Sequence, residues 1–287
     1  MNRYKIVHQT DYDFSAVVQL LPHILRLRPR EGHELRIESL ILDISPAATL
    51  RWHRDVEGNS VAAATFSTGT QHLTVKSEVI IQKYDQAPHD FLVADYAVNY
   101  PFRYNLEDTT LLAPYMNPVQ YSEIPALSNW MSHLWQRNDN IQTFALLLQL
   151  NQLIYQSMHY RRREEEGVQT AEQTLLWGSG SCRDFACLFI TAARQLGFAA
   201  RFVSGYLYSD HISCQFGQSG STHAWAEVFI PGAGWKGFDP TIGNIVGAEH
   251  IPVAVARLPQ SVPPIAGSFH GPAGTNMVVN VWVTEIG

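Results

Sequence analysis

Residues 178–197 read GSGSCRDFACLFITAARQLG. Gly178 and Gly180 loosen the backbone, Ser181 can cap a helix, and Phe185, Leu188, Phe189, Ala192 and Leu196 recur on one apolar stripe until Gly197 stops it. That spacing predicts a buried helix whose first turn holds Cys182. The unpaired N–H groups and the positive dipole end of such a turn favour a thiolate, and the same N–H groups can hold an oxyanion during acyl transfer. Cys182 is therefore the candidate nucleophile and is expected to react first among the three thiols of the chain. Cys187 falls inside the apolar run and Cys214 in a polar stretch between strands; both are read as structural or incidental.

Downstream, residues 222–230 read THAWAEVFI, a strand with His223 at its start. The turn Pro231-Gly232-Ala233-Gly234 leads into Trp235-Lys236-Gly237-Phe238-Asp239-Pro240, so the segment forms a hairpin that ends in a carboxylate. Register decides whether that carboxylate is useful. A four-residue loop faces Asp239 with Ala226, whose side chain points away from His223. A three-residue loop, Pro231 to Ala233, or a bulge, faces it with Trp225 and makes it the diagonal neighbour of His223, roughly 7–8 Å away. The glycine-rich turn permits the second register.

Taken singly, each residue has an ordinary reading: a packing cysteine, a half-exposed histidine, a turn-forming aspartate before proline. Their order on a helix start and a hairpin instead suits a thiol deprotonated by an imidazole base that a carboxylate orients. A metal on Cys182, Cys214 and His223 is chemically feasible, but no Cys-x-x-Cys or His-x-x-x-His spacing supports it, and no cofactor is expected.

The 287 residues suffice for two modest domains, and 46% apolar against 16% charged residues leave enough to bury. The net charge of −6 is spread out, and the one dense run, Arg161 to Glu166, cancels itself, which argues against a nucleic-acid partner. No apolar run follows the N-terminal residues and no stretch of about 18 apolar residues could cross a bilayer, so no membrane partner is expected and the protein reads as cytoplasmic. Three cysteines leave at least one thiol free.

Residues 1–85 alternate in short segments, with Leu73, Val75, Ser77 and Val79 on one face of a strand, and predict an N-terminal β-sandwich domain. Ile37, Ser39, Ile41 and Asp43 are expected to share one face of an earlier strand. Residues 86–140 form a connecting region, mostly without period from Gln86 to about Pro125, then helical from Ala126 to Gln136. Residues 141–287 form the catalytic core, with a helix from Gln142 to Met158, a short helix capped by Thr170 and Gln173, and a C-terminal strand, Met277 to Val283, able to rejoin either sheet.

Four pieces of this core, Gly180-Ser181-Cys182-Arg183-Asp184-Phe185-Ala186, Arg201 to Leu207, His223-Ala224-Trp225-Ala226-Glu227-Val228 and Gly234 to Thr241, resemble the transglutaminase-like superfamily of cysteine enzymes. Tyr4 to Tyr12, Leu27-Arg28-Pro29-Arg30 and Asp55-Val56-Glu57-Gly58-Asn59 are similar to the β-domain that precedes this core in a bacterial branch described as transglutaminase-like cysteine proteases. The resemblance implies an α+β fold, a helix-borne cysteine packed on an antiparallel sheet in the papain/transglutaminase manner. It also implies Cys182, His223 and Asp239 as the catalytic set and a peptide or protein amide as substrate. Hydrolysis, as protease or amidase, is the leading expectation; amine transfer to glutamine, or a non-catalytic scaffold, are the alternatives. Near the C-terminus the branch tends to carry Gly-Arg-Asp, where this chain has Ala256-Arg257-Leu258 after His250. Asp184 is read as shaping the site or capping the helix, and the superfamily's second oxyanion donor is not located by the sequence. Natural substrate and oligomeric state are not specified either.

Overall fold

The computed structural model describes every residue except 1, 85–89, 118–123, 137–138, 164, 166, 209–219 and 273. Period-two alternation carries the N-terminal part into strands β1 (Asn2–Leu20), β2 (His23–Leu25), β3 (Leu35–Ser45), β4 (Ala48–Arg54), β5 (Ser60–Phe66) and β6 (Thr70–Lys83). There follow β7 (Asn99–Tyr100), α1 (Leu106–Met116), α2 (Pro125–Met131), β8 (Ile141–Gln142), α3 (Thr143–Ser157), β9 (His159–Tyr160), α4 (Ala171–Trp177), β10 (Ser179–Gly180) and α5 (Cys182–Gln195). The chain continues through β11 (Ala200–Tyr208), β12 (Gly220–Ile230), β13 (Gly234–Asp239), β14 (Asn244–Ile245), β15 (His250–Ala256), β16 (Ile265–Ala266), β17 (Phe269–His270) and β18 (Thr275–Glu285).

Three antiparallel sheets organise the molecule: β17-β1-β6-β3 with β18 also on β1, β16-β2-β5-β4, and β14-β13-β12-β11-β15. One face of β6 shows how they stack. Leu73 and Val75 pack with Phe14, Leu25, Ala62 and Ala64 between the first two sheets. Two turns of the pleat further on, Val79 and Ile81 join Tyr4, Ile6, Val281 and Val283 against Tyr206, Ile251 and Val253 of the third. Between the two apolar zones lie the buried polar residues His8, Thr10 and Ser77. His8 Nδ1 meets the Tyr206 hydroxyl at 2.9 Å, and burial pushes this imidazole down to about 4, so it is neutral at this seam. In β3 a bulge between Ile37 and Ser39 shifts the phase. Leu40, Leu42 and Ile44 then turn inward in place of Ser39, Ile41 and Asp43, which corrects the strict alternation expected there.

The other face of the third sheet carries the helices. Phe185, Leu188, Phe189 and Ala192 of α5 pack on Ala224, Ala226, Val228 and Phe238, and Phe189 stacks on Phe238 with centroids 5.3 Å apart. Leu146, Leu147, Leu150 and Ile154 of α3 complete this core. Truncating a fully buried phenylalanine such as Phe189 to alanine costs about 3–5 kcal/mol.

The C-terminal strand Thr275–Glu285, which the sequence left able to rejoin either sheet, pairs with β1, from Tyr4↔Glu285 to Phe14↔Thr275. Likewise β16 pairs with β2 and β17 with β1. Alternation marks such strands but not their partners, because pairing across more than 260 residues leaves no trace in local spacing. Within the expected connecting region the structure has a helix, α1. Its N-cap Asn105 accepts from the Asp108 N–H at 2.7 Å, while Pro114 in its last turn removes a donor and hides the helical pattern. The helix expected over Ala126–Gln136 ends earlier, at Met131. The helix expected over Gln142–Met158 is α3, and the Thr170–Gln173 capping box is present on α4.

Candidate active site

Cys182 is the first residue of α5, and its approach is tightly built. Gly178 closes α4 in the left-handed conformation (φ 59°), after which β10 runs parallel to β9, with Gly180 beside Tyr160. Ser181 caps α5: its N–H and its hydroxyl both donate to Asp184 Oδ2 at 2.8 Å. The Asp184 carboxylate is fully buried and also accepts from Arg163 Nη1 at 2.8 and 2.9 Å and from the Gln169 N–H at 2.7 Å. Burial opposes its charge, yet these donors hold it below the usual carboxylate range. Asp184 therefore caps the helix and ties the preceding loop to it. Gly197 (φ 90°) closes the far end of α5.

The hairpin takes the three-residue loop. Ile230 faces Gly234 and Ala226 faces Phe238, so Pro231 to Ala233 form the turn and Asp239 comes level with Trp225. His223 and Asp239 meet, with Nε2 and Oδ2 2.6 Å apart, the histidine 7% exposed and the aspartate not at all. Nε2 is thus engaged by Asp239, and Cys182 lies near enough to this imidazole to favour its charged form. The structure thus brings together all three residues singled out in the sequence. Burial disfavours the imidazolium, but the Asp239 charge, its hydrogen bond and the contact with Cys182 together raise His223 to about 10. Burial likewise opposes the Asp239 carboxylate, which its two histidine partners nonetheless keep far below its ordinary range.

Asp239 Oδ1 accepts from the Thr241 N–H at 2.9 Å, and the Asn151 side chain holds the Asp239 and Asn244 carbonyls at 3.3 and 3.0 Å. Gly205 of β11 lies opposite His223; a Cβ there would come 2.3 Å from the Ile251 carbonyl and 2.7 Å from the Trp225 ring. Only glycine fits so close an approach. Burial and then the neighbouring Cys182 charge push the Tyr160 phenol up to about 12. Cys187 is half-buried in the helix core, and desolvation pushes its thiol up to about 12. Cys214, and with it the alternative metal set, lies outside the described residues.

Sequence reasoning missed His250. It opens β15, is 1% exposed, and brings Nε2 to 3.0 Å from Asp239 Oδ2, the oxygen that His223 also uses. The signal was a histidine heading the apolar run Ile251 to Ala256, without any local hint of its partner. His223, Asp239 and His250 present three ligand-type atoms within 4.8 Å. Contacts of 2.6 and 3.0 Å to one shared oxygen make the group a hydrogen-bonded chain. Arg257, at the departure from Gly-Arg-Asp, donates from Nε to the Pro114 carbonyl at 2.6 Å and so braces α1. No helix among the described residues is long and apolar enough to cross a membrane.

Residues 4–82 match the bacterial transglutaminase-like N-terminal region and residues 135–240 the transglutaminase-like superfamily. An uncharacterized protein of Mycobacterium tuberculosis is 28% identical over 296 aligned positions, covering 99% of this chain and 93% of that protein. One from Mycobacterium leprae is 33% identical over 109 residues, 37% of this chain and 38% of the other. In structure, a candidate cysteine protease from Cytophaga hutchinsonii superposes with a TM-score of 0.74 at 17% identity, covering all of this chain and 91% of that one, a likeness of fold. Helix-borne cysteine, antiparallel sheet and preceding β-sandwich agree with these matches: the chain belongs to the transglutaminase-like superfamily by its core and carries the bacterial N-terminal region ahead of it.

Proposed function

We propose that this protein catalyses acyl transfer on a peptide or protein amide, with Cys182 as nucleophile, His223 as its acid and base, Asp239 as the group that orients the imidazole, and water as the acceptor. The observation that carries the reading is the buried 2.6 Å contact between His223 and Asp239, with Cys182 heading the neighbouring helix and favouring the charge of the same imidazole. Because His223 is raised to about 10, the imidazole is protonated at neutral pH and offers its positive charge to the attacking sulfur. Sγ attacks the amide carbon, and the first-turn N–H groups of α5 face the oxygen that gains charge. His223 then gives its proton to the leaving nitrogen, the C–N bond breaks and a thioester remains. Water attacks the thioester, His223 takes up its proton, and the C–S bond breaks. Asp239 stays ionised throughout.

Hydrolysis is the favoured outcome because water resolves a thioester unless a site is built to exclude it. A reducing compartment such as the cytoplasm suits an enzyme that depends on a free thiol. The test is incubation with a peptide mixture in ¹⁸O-water, with and without hydroxylamine. Hydrolysis leaves ¹⁸O in new carboxyl groups; amine transfer leaves hydroxamates in preference. Both products should disappear in Cys182→Ala, and a variant that keeps full activity would return the core to a scaffold reading.

A further inference from the structure

We infer that His250 is a positioning residue for the catalytic carboxylate, and that the N-terminal β-region holds it in place through Lys83. The inference rests on the triad reading above. Asp239 Oδ2 receives two imidazoles at once, His223 Nε2 at 2.6 Å and His250 Nε2 at 3.0 Å, while Oδ1 takes the Thr241 N–H at 2.9 Å. The Gly247 N–H points to His250 Nδ1 at 3.2 Å, and Glu249 Oε1 lies 3.3 Å from the same atom. These two contacts compete, one needing Nδ1 as acceptor and the other as donor. The Asp239 carboxylate can only accept, so Nε2 bears the hydrogen and donates to it, which in the neutral ring leaves Nδ1 as the acceptor from Gly247. A carboxylate with no exposed surface is thereby pinned at both oxygens, and the imidazole that it orients cannot swing with it.

His250 in turn is fixed from outside the core. Lys83, at the end of β6, is 7% exposed and sends its ammonium to the Ala248 carbonyl at 2.6 Å, to that of His250 itself at 2.7 Å and to that of Gly247 at 3.4 Å. Those three carbonyls surround the turn that delivers His250 to Asp239. Tyr208 N–H donates to the Glu249 carbonyl at 2.9 Å, so β11 secures the same turn from the other side. The chain Lys83, loop 247–250, His250, Asp239, His223 links the N-terminal sheet to the reacting imidazole.

The experiment is the rate of Cys182 alkylation by iodoacetamide at pH 7 in the full chain, read by peptide mapping, for wild type, His223→Ala, His250→Leu, His250→Gln and Lys83→Met. Leucine fills the space of the imidazole but donates nothing; glutamine fills it less well and keeps an N–H donor. A hydrogen bond to a charged group predicts that His250→Leu slows labelling about tenfold or more and that His250→Gln stays within about threefold of wild type. A purely structural histidine would give the reverse order. Lys83→Met should slow labelling in the same direction while leaving every group at the site in place, and it remains informative if His250→Leu does not fold. His250→Leu at the wild-type rate, or His250→Gln as slow as His250→Leu, overturns the role of His250. Lys83→Met at the wild-type rate overturns the link to the N-terminal region. If His223→Ala labels as fast as wild type, it is the triad reading that falls.

Discussion

Replacing Asp239 with asparagine removes the charge at the centre of the site and leaves its shape. Asp239 has no exposed surface and His223 is 7% exposed, so the pair lies in the regime where deleting one partner costs about 3–5 kcal/mol. His223 can escape part of that cost by shedding its proton, and asparagine keeps an oxygen acceptor, so the low end, about 3 kcal/mol near pH 6, is expected. The pH dependence has a definite sign. His223 is raised to about 10, so its contribution is complete below the unfolded value of about 6.5 and is lost as pH rises through the folded value. The carboxyl is depressed, so its share is present above the unfolded value of about 3.9 and is lost only in strong acid. The stability gap between wild type and Asp239→Asn should therefore be widest from about pH 4 to 6.5 and narrow steadily toward pH 10, leaving only the hydrogen bond of a neutral His223 to the carboxylate. Urea unfolding of both proteins at pH 6 and pH 10 measures the gap. A gap equally wide at the two pH values refutes the charge pairing.

Cys187 should label far more slowly than Cys182 at neutral pH, because burial pushes its thiol up to about 12; mass mapping after brief alkylation checks this, and faster labelling of Cys187 would contradict it. Gly205→Ala should destabilise by about 1–3 kcal/mol, since its Cβ would lie 2.3 Å from the Ile251 carbonyl, and an unchanged urea midpoint would mean that β15 yields freely. Asp184→Ala leaves the half-buried Arg163 with Glu165 at 3.5 Å and unties the helix cap, so a loss toward the low end of about 3–5 kcal/mol and slower Cys182 labelling are expected together; stability loss with unchanged labelling would separate the cap from the site.

Much of this site was legible because its parts are local. Ser181, Cys182 and the apolar stripe to Leu196 declare a capped helix by themselves, whereas the hairpin turn left two registers open, of which the structure takes the three-residue loop. His250 was not legible because β15 lies three places from β13 in the sheet, with β12 and β11 between them, and reaches Asp239 only through the fold. Lys83 reads as a surface lysine ending a strand until its ammonium is seen among the carbonyls of residues 247–250. The bulge in β3 and the helix carrying Pro114 hid for the opposite reason: each breaks a local rule that tertiary packing overrides. The pairing of β18 with β1 joins the two ends of the chain, a choice made by the apolar surface of Val281 and Val283 against Tyr4 and Ile6.

In the proposed mechanism Cys182 is activated by His223. Wild type and His223→Ala, treated at pH 7 with a limiting thiol-reactive probe and mapped by mass spectrometry, test that claim most directly. The account predicts one dominant adduct on Cys182 in wild type, formed at least about tenfold faster than in His223→Ala, since the imidazolium that stabilises the attacking sulfur is gone. Equal rates on Cys182 in the two proteins, or a dominant adduct elsewhere, would contradict it.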